Sequence, residues 1–203
     1  KISPFDNLGL LELIVKTGVA NAINTQLGGM KGNKNAIAET IENNVRSKII
    51  REHLGDPAFY EKMSALLDEI IAARKAKAIE YEEYLKRVAE LARRVEAGLA
   101  DDTPEPLKRS SALRALYNNL MSAAGAAVPS AQAAQSGAEY AAASDRTLRL
   151  ALDIDEAIKR VRPDGWRGIQ AREQVIKAEL FKFLKDVPEV ERIFLIIKAQ
   201  REY

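Results

Sequence analysis

The chain has 203 residues, and its 31 basic and 29 acidic side chains give a formal net charge of only +2. Hydrophobic residues make up 47% and charged residues 30%, which is typical of a globular protein rather than a disordered or fibrous one. The absence of cysteine excludes disulfides, cysteine-ligated zinc and iron–sulfur clusters, and the single histidine, His53, excludes a two-histidine metal site.

Helical spacing of apolar side chains predicts the elements of the first half of the chain. An apolar stretch from Leu8 to Leu27 predicts a helix that is interrupted at Gly18. A glycine-rich loop follows, and i, i+4 spacing then predicts a helix over about 35–53. Asp56-Pro57 combines a cap residue with a proline at the first helical position and starts the next helix. Two apolar stripes follow, and typical helix lengths favour a break between them near Ala76 to Glu80, giving an antiparallel pair.

The second half of the chain is also predicted to be helical. A turn-rich connector, Asp101 to Pro106, precedes a helix through Leu113, Leu116 and Leu120. The stretch from Met121 to Ser144 is rich in small residues, which bury little area, so it predicts either a mobile insertion or a weak helical segment. A helix through 150–161, a turn at Asp164–Gly168 and two closing helices complete the chain.

The sequence therefore predicts an all-α fold, an irregular multi-helix bundle with helical hairpins. Sustained two-residue alternation, which would indicate strands, is absent from the sequence. We divide the chain into an N-terminal helical part with a long helical hairpin (residues 1–100), a connector with the Ala/Ser-rich insertion (101–146) and a C-terminal three-helix part (147–203), together forming one compact domain.

Two basic clusters are candidates for contact with DNA or a protein partner. Lys31 and Lys34 lie close enough in sequence to Arg46, Lys48 and Arg51 for the clusters to merge into one patch, which fits contact with backbone phosphates. Because each cluster lies next to acidic residues, a solvated helix face is the default interpretation and phosphate contact is the alternative. The glycines and lysines of 28–35 lack the GxxxxGK[ST] spacing of a phosphate-binding loop, so a flexible interhelical loop is the better interpretation there.

The only tryptophan, Trp166, is the second candidate contact. With Arg167 beside it, the indole would stack on a base while the guanidinium pairs with a phosphate. The alternative, which we favour because large aromatic side chains are mostly structural anchors, has the indole filling a joint between two helices and Asp164 capping the next helix.

Catalytic and metal-binding chemistry is not predicted for this chain. Glu39-x-x-Glu42 lacks the Glu-x-x-His motifs of helical di-iron sites, and His53 belongs to no such motif. Asn43 and Asn44, which are poor helix formers, are expected to make hydrogen bonds across helices. We therefore expect no catalytic residue, no metal site and no cofactor within these residues.

Six blocks of sequence, spread over most of the chain from about Phe5 to Tyr203, have a further meaning when taken together. They are Ala38–Arg46, Tyr60–Ser64 with Leu66-Leu67, Glu83–Leu85, Ala112–Leu120, Asp164–Gly168, and Val190–Phe194 with Ile197-Lys198. In the same order, these blocks resemble the C-terminal region of the restriction (R, motor) subunit of type I restriction–modification enzymes.

The resemblance implies a function for the parent subunit and another for this part of it. The parent hydrolyses ATP with Mg²⁺, translocates duplex DNA and cleaves it as an endonuclease, together with modification and specificity subunits. No Walker lysine, helicase acid pair or nuclease cluster occurs in this sequence. The resemblance therefore implies a non-catalytic assembly domain that docks the motor on the methyltransferase core and flanks the DNA.

Two other functions stay open from the sequence: a nonspecific DNA-binding helical module and an independent helical enzyme domain around Trp166. No run approaches the roughly 18 apolar residues of a membrane-spanning helix. No secretory signal is visible either, so we expect a cytoplasmic protein with no membrane partner.

Overall fold

The computed structural model describes residues 9–101, 103–126 and 137–203, and these residues form nine α-helices and no strand. The predicted all-α fold is therefore confirmed. The helices are α1 (Leu10–Thr17), α2 (Val19–Gln26), α3 (Lys34–Glu52), α4 (Pro57–Lys75), α5 (Tyr81–Ala97), α6 (Ser111–Ala126), α7 (Gly137–Val161), α8 (Gln170–Leu184) and α9 (Val187–Ala199). In this described part of the chain, no helix is both long and apolar enough to cross a membrane.

The helices group into two compact units. The first contains the described residues of Lys1–His53 and Tyr60–Asp102, and the second those of Leu54–Phe59 and Thr103–Tyr203. The boundary near residue 102 lies close to the predicted one at residue 100. The predicted boundary at residue 146 falls inside α7, which packs against α6 and α8 in the second unit.

In the first unit, α1 packs against α2, α3 and α5, and α3 also packs against α5. Apolar side chains at helical spacing drive this packing, and Leu13, Ile41, Val45 and Val88 are buried between the helices. The predicted interruption at Gly18 is present. Gly18 has φ 88°, a conformation that side chains with a Cβ rarely adopt, so the chain turns there between α1 and α2.

The predicted break between α4 and α5 is confirmed, since α4 ends at Lys75 and α5 begins at Tyr81. A Schellman motif ends α4: the Ala78 amide donates to the Ala73 carbonyl at 2.9 Å and the Lys77 amide to the Arg74 carbonyl at 3.0 Å. This motif places Lys77 in the left-handed region, at φ 52°. Glycine is the usual residue at that position, so the lysine is strained.

Replacing Lys77 by glycine is expected to raise the free energy of unfolding by about 0.5–1 kcal/mol. Relief of the left-handed strain, worth roughly 1–2 kcal/mol, exceeds the extra entropy that glycine gives to the unfolded chain. Chemical denaturation measures the change. Lys77→Ala is the matched control, because it removes the same ammonium group but keeps the Cβ. Equal stability of the glycine and alanine variants would contradict the argument.

In the second unit, α6 packs against α7 and α9, and α8 packs against both α7 and α9. Leu116, Ile154, Leu180 and Ile193 are among its fully buried side chains. The small-residue stretch of 121–144 is helical at both of its described ends, where α6 finishes and α7 begins. The helical interpretation of this stretch, rather than the mobile insertion, therefore applies to those two ends. Residues 127–136 lie outside the described residues.

Candidate functional site

The structure separates the predicted basic patch into two groups. Lys34 is the first residue of α3 and Lys31 lies three residues before it; both are exposed, and the Lys34 ammonium lies 4.8 Å from the centroid of the Tyr81 ring. Arg51 lies seventeen residues further along α3, which at 1.5 Å per residue is about 25 Å away. The two groups of cations are therefore too far apart to form the centre of a single contact surface.

The cations of the second group are engaged by neighbouring side chains. Arg46 donates to the Ser64 hydroxyl at 2.6 Å and to the Asp68 carboxylate. The Lys48 and Arg51 nitrogens lie 3.6 and 3.7 Å from the Glu52 carboxylate. This group therefore fits the default interpretation, a solvated helix face whose charges are paired with neighbouring side chains.

Trp166 lies in the core of the second unit. Its side chain is 2% exposed, and its ring lies 5.9 Å from that of Phe194, centroid to centroid. The Arg167 guanidinium lies over the indole, 4.5 Å from its centroid, and donates to the main-chain carbonyls of Lys198, at 3.0 Å, and Gln200. The indole thus offers no exposed face to a base, and Arg167 neutralises carbonyls at the end of α9.

Two of the predicted local contacts are wrong in detail. The side chain of Asp164 does not cap α8, because Ile169 occupies the N-cap position and only the Asp164 carbonyl is used, accepting from Arg172 at 2.6 Å. Asn43 is exposed, and Asn44 donates to the Thr40 carbonyl of its own helix at 2.9 Å instead of reaching across to another helix.

The first unit contains a buried ion pair that sequence analysis missed. Glu42, on α3, is 6% exposed and receives two hydrogen bonds from Arg74, on α4, at 2.7 and 3.1 Å. The Tyr84 hydroxyl, on α5, donates to the same carboxylate at 3.0 Å. The hydrogen bond to Glu42 raises the pKa of Arg74, and burial raises the pKa of Tyr84, so the arginine stays charged and the phenol stays neutral.

The sequence carried one signal for this pair. Glu42 follows Ala38 by four residues and precedes Val45 by three, which places it at the edge of the apolar face of α3. A carboxylate at such a position needs a buried partner. Its partner, Arg74, is 32 residues away, and helical periodicity does not reveal that pairing.

A second buried polar cluster lies in the second unit, around Asp56. The Asn118 and Asn119 amides, on α6, each donate to the Asp56 carboxylate at 2.8 Å, and the Phe59 amide donates to it at 3.3 Å. Burial raises the pKa of Asp56 from the ordinary 3.8 to about 6, against the lowering effect of these hydrogen bonds. The cluster fixes the start of α4 against α6.

Neither polar cluster has the features of a reaction centre. Each consists of side chains that hydrogen-bond one another between packed helices. Two surface grooves flank α5, one shared with α1 and the other with α4, and apolar side chains with mixed charges line them. Among the described residues, no group of three or more histidine, aspartate or glutamate side chains is placed to hold a metal ion.

Comparisons with known proteins add no relative. No family model, no curated protein and no solved structure matches this chain. The positions of the six resembling blocks in the structure therefore bear on the resemblance.

The structure brings these blocks into contact within each unit. In the first unit, block Ala38–Arg46 reaches two others, through the hydrogen bonds of Arg46 with Ser64 and of Glu42 with Tyr84. In the second unit, Arg192 donates to the Asn119 carbonyl at 3.0 Å, which joins the last block to Ala112–Leu120. The contact between Trp166 and Phe194 joins the last block to Asp164–Gly168.

Proposed function

We propose that this chain is the C-terminal assembly domain of the R subunit of a type I restriction enzyme. In this role it docks the motor on the methyltransferase core, which the modification and specificity subunits form, and it lies next to duplex DNA. The observation that carries the proposal is that blocks far apart in sequence, resembling that subunit in order, contact one another as pieces of two helical cores.

The positions of the block residues favour assembly over catalysis. Most of the apolar side chains in the blocks are buried in packing, as Ile41, Met63, Leu116 and Phe194 are. Two of the polar ones, Glu42 and Arg192, hydrogen-bond to other helices. Residues that serve to hold helices together specify a body of defined shape, and such a body is suited to binding other subunits.

The proposal assigns the chemistry to other parts of the complex. By membership the chain belongs to an ATP-dependent, site-specific deoxyribonuclease of the cytoplasm, and ATP and Mg²⁺ act in the motor and nuclease domains of the parent. The chain alone is then expected neither to hydrolyse ATP nor to cut DNA. Turnover by the purified chain would instead support the alternative of an independent helical enzyme.

A binding experiment tests the docking role. The chain is immobilised and presented with the purified complex of modification and specificity subunits from the same host, with an unrelated helical protein of similar size as the control. We expect the complex to be retained by the chain and not by the control. Equal retention by both would overturn the proposal, as would a reading frame around the chain that encodes no helicase motor.

A further inference from the structure

One end of the first unit collects lysines from two segments, the residues before and at the start of α3 and the end of α4. Arg74, near the end of α4, donates from its Nη1 to the Asn35 side chain at the start of α3, at 3.4 Å. Lys34 lies against the ring of Tyr81, the first residue of α5. The start of α3, the end of α4 and the start of α5 therefore meet there. We call this surface the basic end and define it by Lys31, Lys34, Lys75 and Lys77.

The four ammonium groups of the basic end are open to an external anion. All four side chains are exposed, and in the part of the chain that the structure describes none of them lies within ion-pair distance of a carboxylate. Arg74, at the same end, is already paired with Glu42. The carboxylates of Glu39, Glu80 and Glu82 belong to the same region and reduce its net positive charge.

Lys77 occupies the left-handed C′ position of α4, where two main-chain hydrogen bonds hold it. Its side chain supplies one of the four charges of the basic end.

We propose that the basic end binds the phosphate backbone of duplex DNA. Lysine supplies compact point charges, and charges on two neighbouring segments match a row of phosphates without reading the bases. Tyr81, the aromatic residue at the basic end, is held between Lys34 and Tyr84, so its ring is already engaged. This inference rests on the proposed function, which places the chain next to duplex DNA. The basic end also replaces the single patch predicted from the sequence. Lys31 and Lys34 stay in it, but Lys75 and Lys77 take the place of Arg46, Lys48 and Arg51.

The binding is expected to be weak and steeply dependent on salt. Nonspecific contacts of this kind have dissociation constants of about 1–100 µM at physiological salt. Four phosphate contacts give a slope of log K against log salt of about −3 to −4, since each contributes about −0.9. Fluorescence anisotropy with a labelled 20-base-pair duplex of arbitrary sequence, between 50 and 200 mM KCl, measures both quantities.

The main variant replaces the four lysines of the basic end by glutamine. We expect at least a tenfold loss of affinity at 50 mM KCl and a slope near zero. The matched control replaces four cations elsewhere in the first unit by glutamine, namely Lys48, Arg51, Lys62 and Lys86. This control should retain most of the affinity. Equal losses in the two variants, or no loss in the first, would overturn the inference.

A pair of single variants separates binding from stability. Lys77→Gly should raise the melting temperature while weakening DNA binding two- to fivefold and reducing the slope by about one unit. Lys185, in the second unit, is also left-handed at φ 54°, so Lys185→Gly should be stabilising with no change in DNA binding. An unchanged slope in Lys77→Gly would count against the proposal. If the wild-type chain retains the subunit complex but does not bind DNA, this inference has failed and the proposed function stands. If it binds DNA but does not retain the complex, the proposed function has failed.

Discussion

Replacing Arg74 by methionine is expected to lower the free energy of unfolding by about 3–5 kcal/mol. Its side chain and that of Glu42 are 13% and 7% exposed, so the carboxylate would be left buried without its charged partner. The Tyr84 hydroxyl donates only one hydrogen bond to Glu42 and does not neutralise its charge. Urea denaturation of the single variant at neutral pH measures the loss.

The double variant Glu42→Met/Arg74→Met tests whether the loss comes from the isolated charge. Two apolar side chains of similar volume remove both charges, and the Tyr84 hydroxyl keeps the Ala38 carbonyl as an acceptor, at 3.2 Å. The double variant should therefore be more stable than Arg74→Met alone. Arg46→Met is the control at an exposed pair: its partner Asp68 is 65% exposed, and the expected cost is below about 1 kcal/mol. A double variant less stable than the single one would contradict this explanation.

The helices were predictable because their signals are local. Gly18 interrupts an apolar stripe, Asp56-Pro57 starts a helix, and both features act within a few residues of the position they specify. The break between α4 and α5 had no glycine or proline to mark it and was predicted from helix length alone. Lys77 forms the turn there in the left-handed conformation, at a position where glycine is the usual residue. A lysine at this position does not predict that conformation.

The candidate contacts were harder to place because they depend on the packing of distant segments. Sequence proximity suggested that Lys34 and Arg51 share a patch, although they lie at opposite ends of one helix. Lys75 is about forty residues from Lys34, yet the two share one end of the first unit, because α4 returns along α3 and brings Arg74 to Asn35. The large side chain of Trp166 favours a structural role, with the indole filling a joint between two helices. The burial of its ring against Phe194 agrees with that argument.

Replacing Asp56 by asparagine is expected to stabilise the protein at neutral pH and to have a smaller stabilising effect in acid. The pKa of Asp56 is about 6 in the folded protein against 3.8 for an ordinary aspartate, so between these values the folded state binds more protons than the unfolded state. Stability from this group is complete below about pH 3.8 and is lost as the pH rises through 6. The loss is roughly 2–3 kcal/mol, since one pKa unit corresponds to 1.36 kcal/mol.

The measurement is the difference in the free energy of unfolding between Asp56→Asn and the wild type, taken from pH 4 to 7.5. The asparagine stays neutral, and Asn118 is able to turn its amide and donate or accept as required. The difference should therefore rise with pH in favour of the variant, with its midpoint between 4 and 6.

Asp101→Asn is the control with the opposite sign. The hydrogen bond from Arg93 holds the pKa of Asp101 below its ordinary value, so its ionised form stabilises the folded protein. That variant should be less stable than the wild type at neutral pH, and the difference should shrink in acid as the carboxylate is protonated. If the stability difference between Asp56→Asn and the wild type instead stays constant from pH 4 to 7.5, folding does not raise the pKa of Asp56, and burial does not oppose its charge.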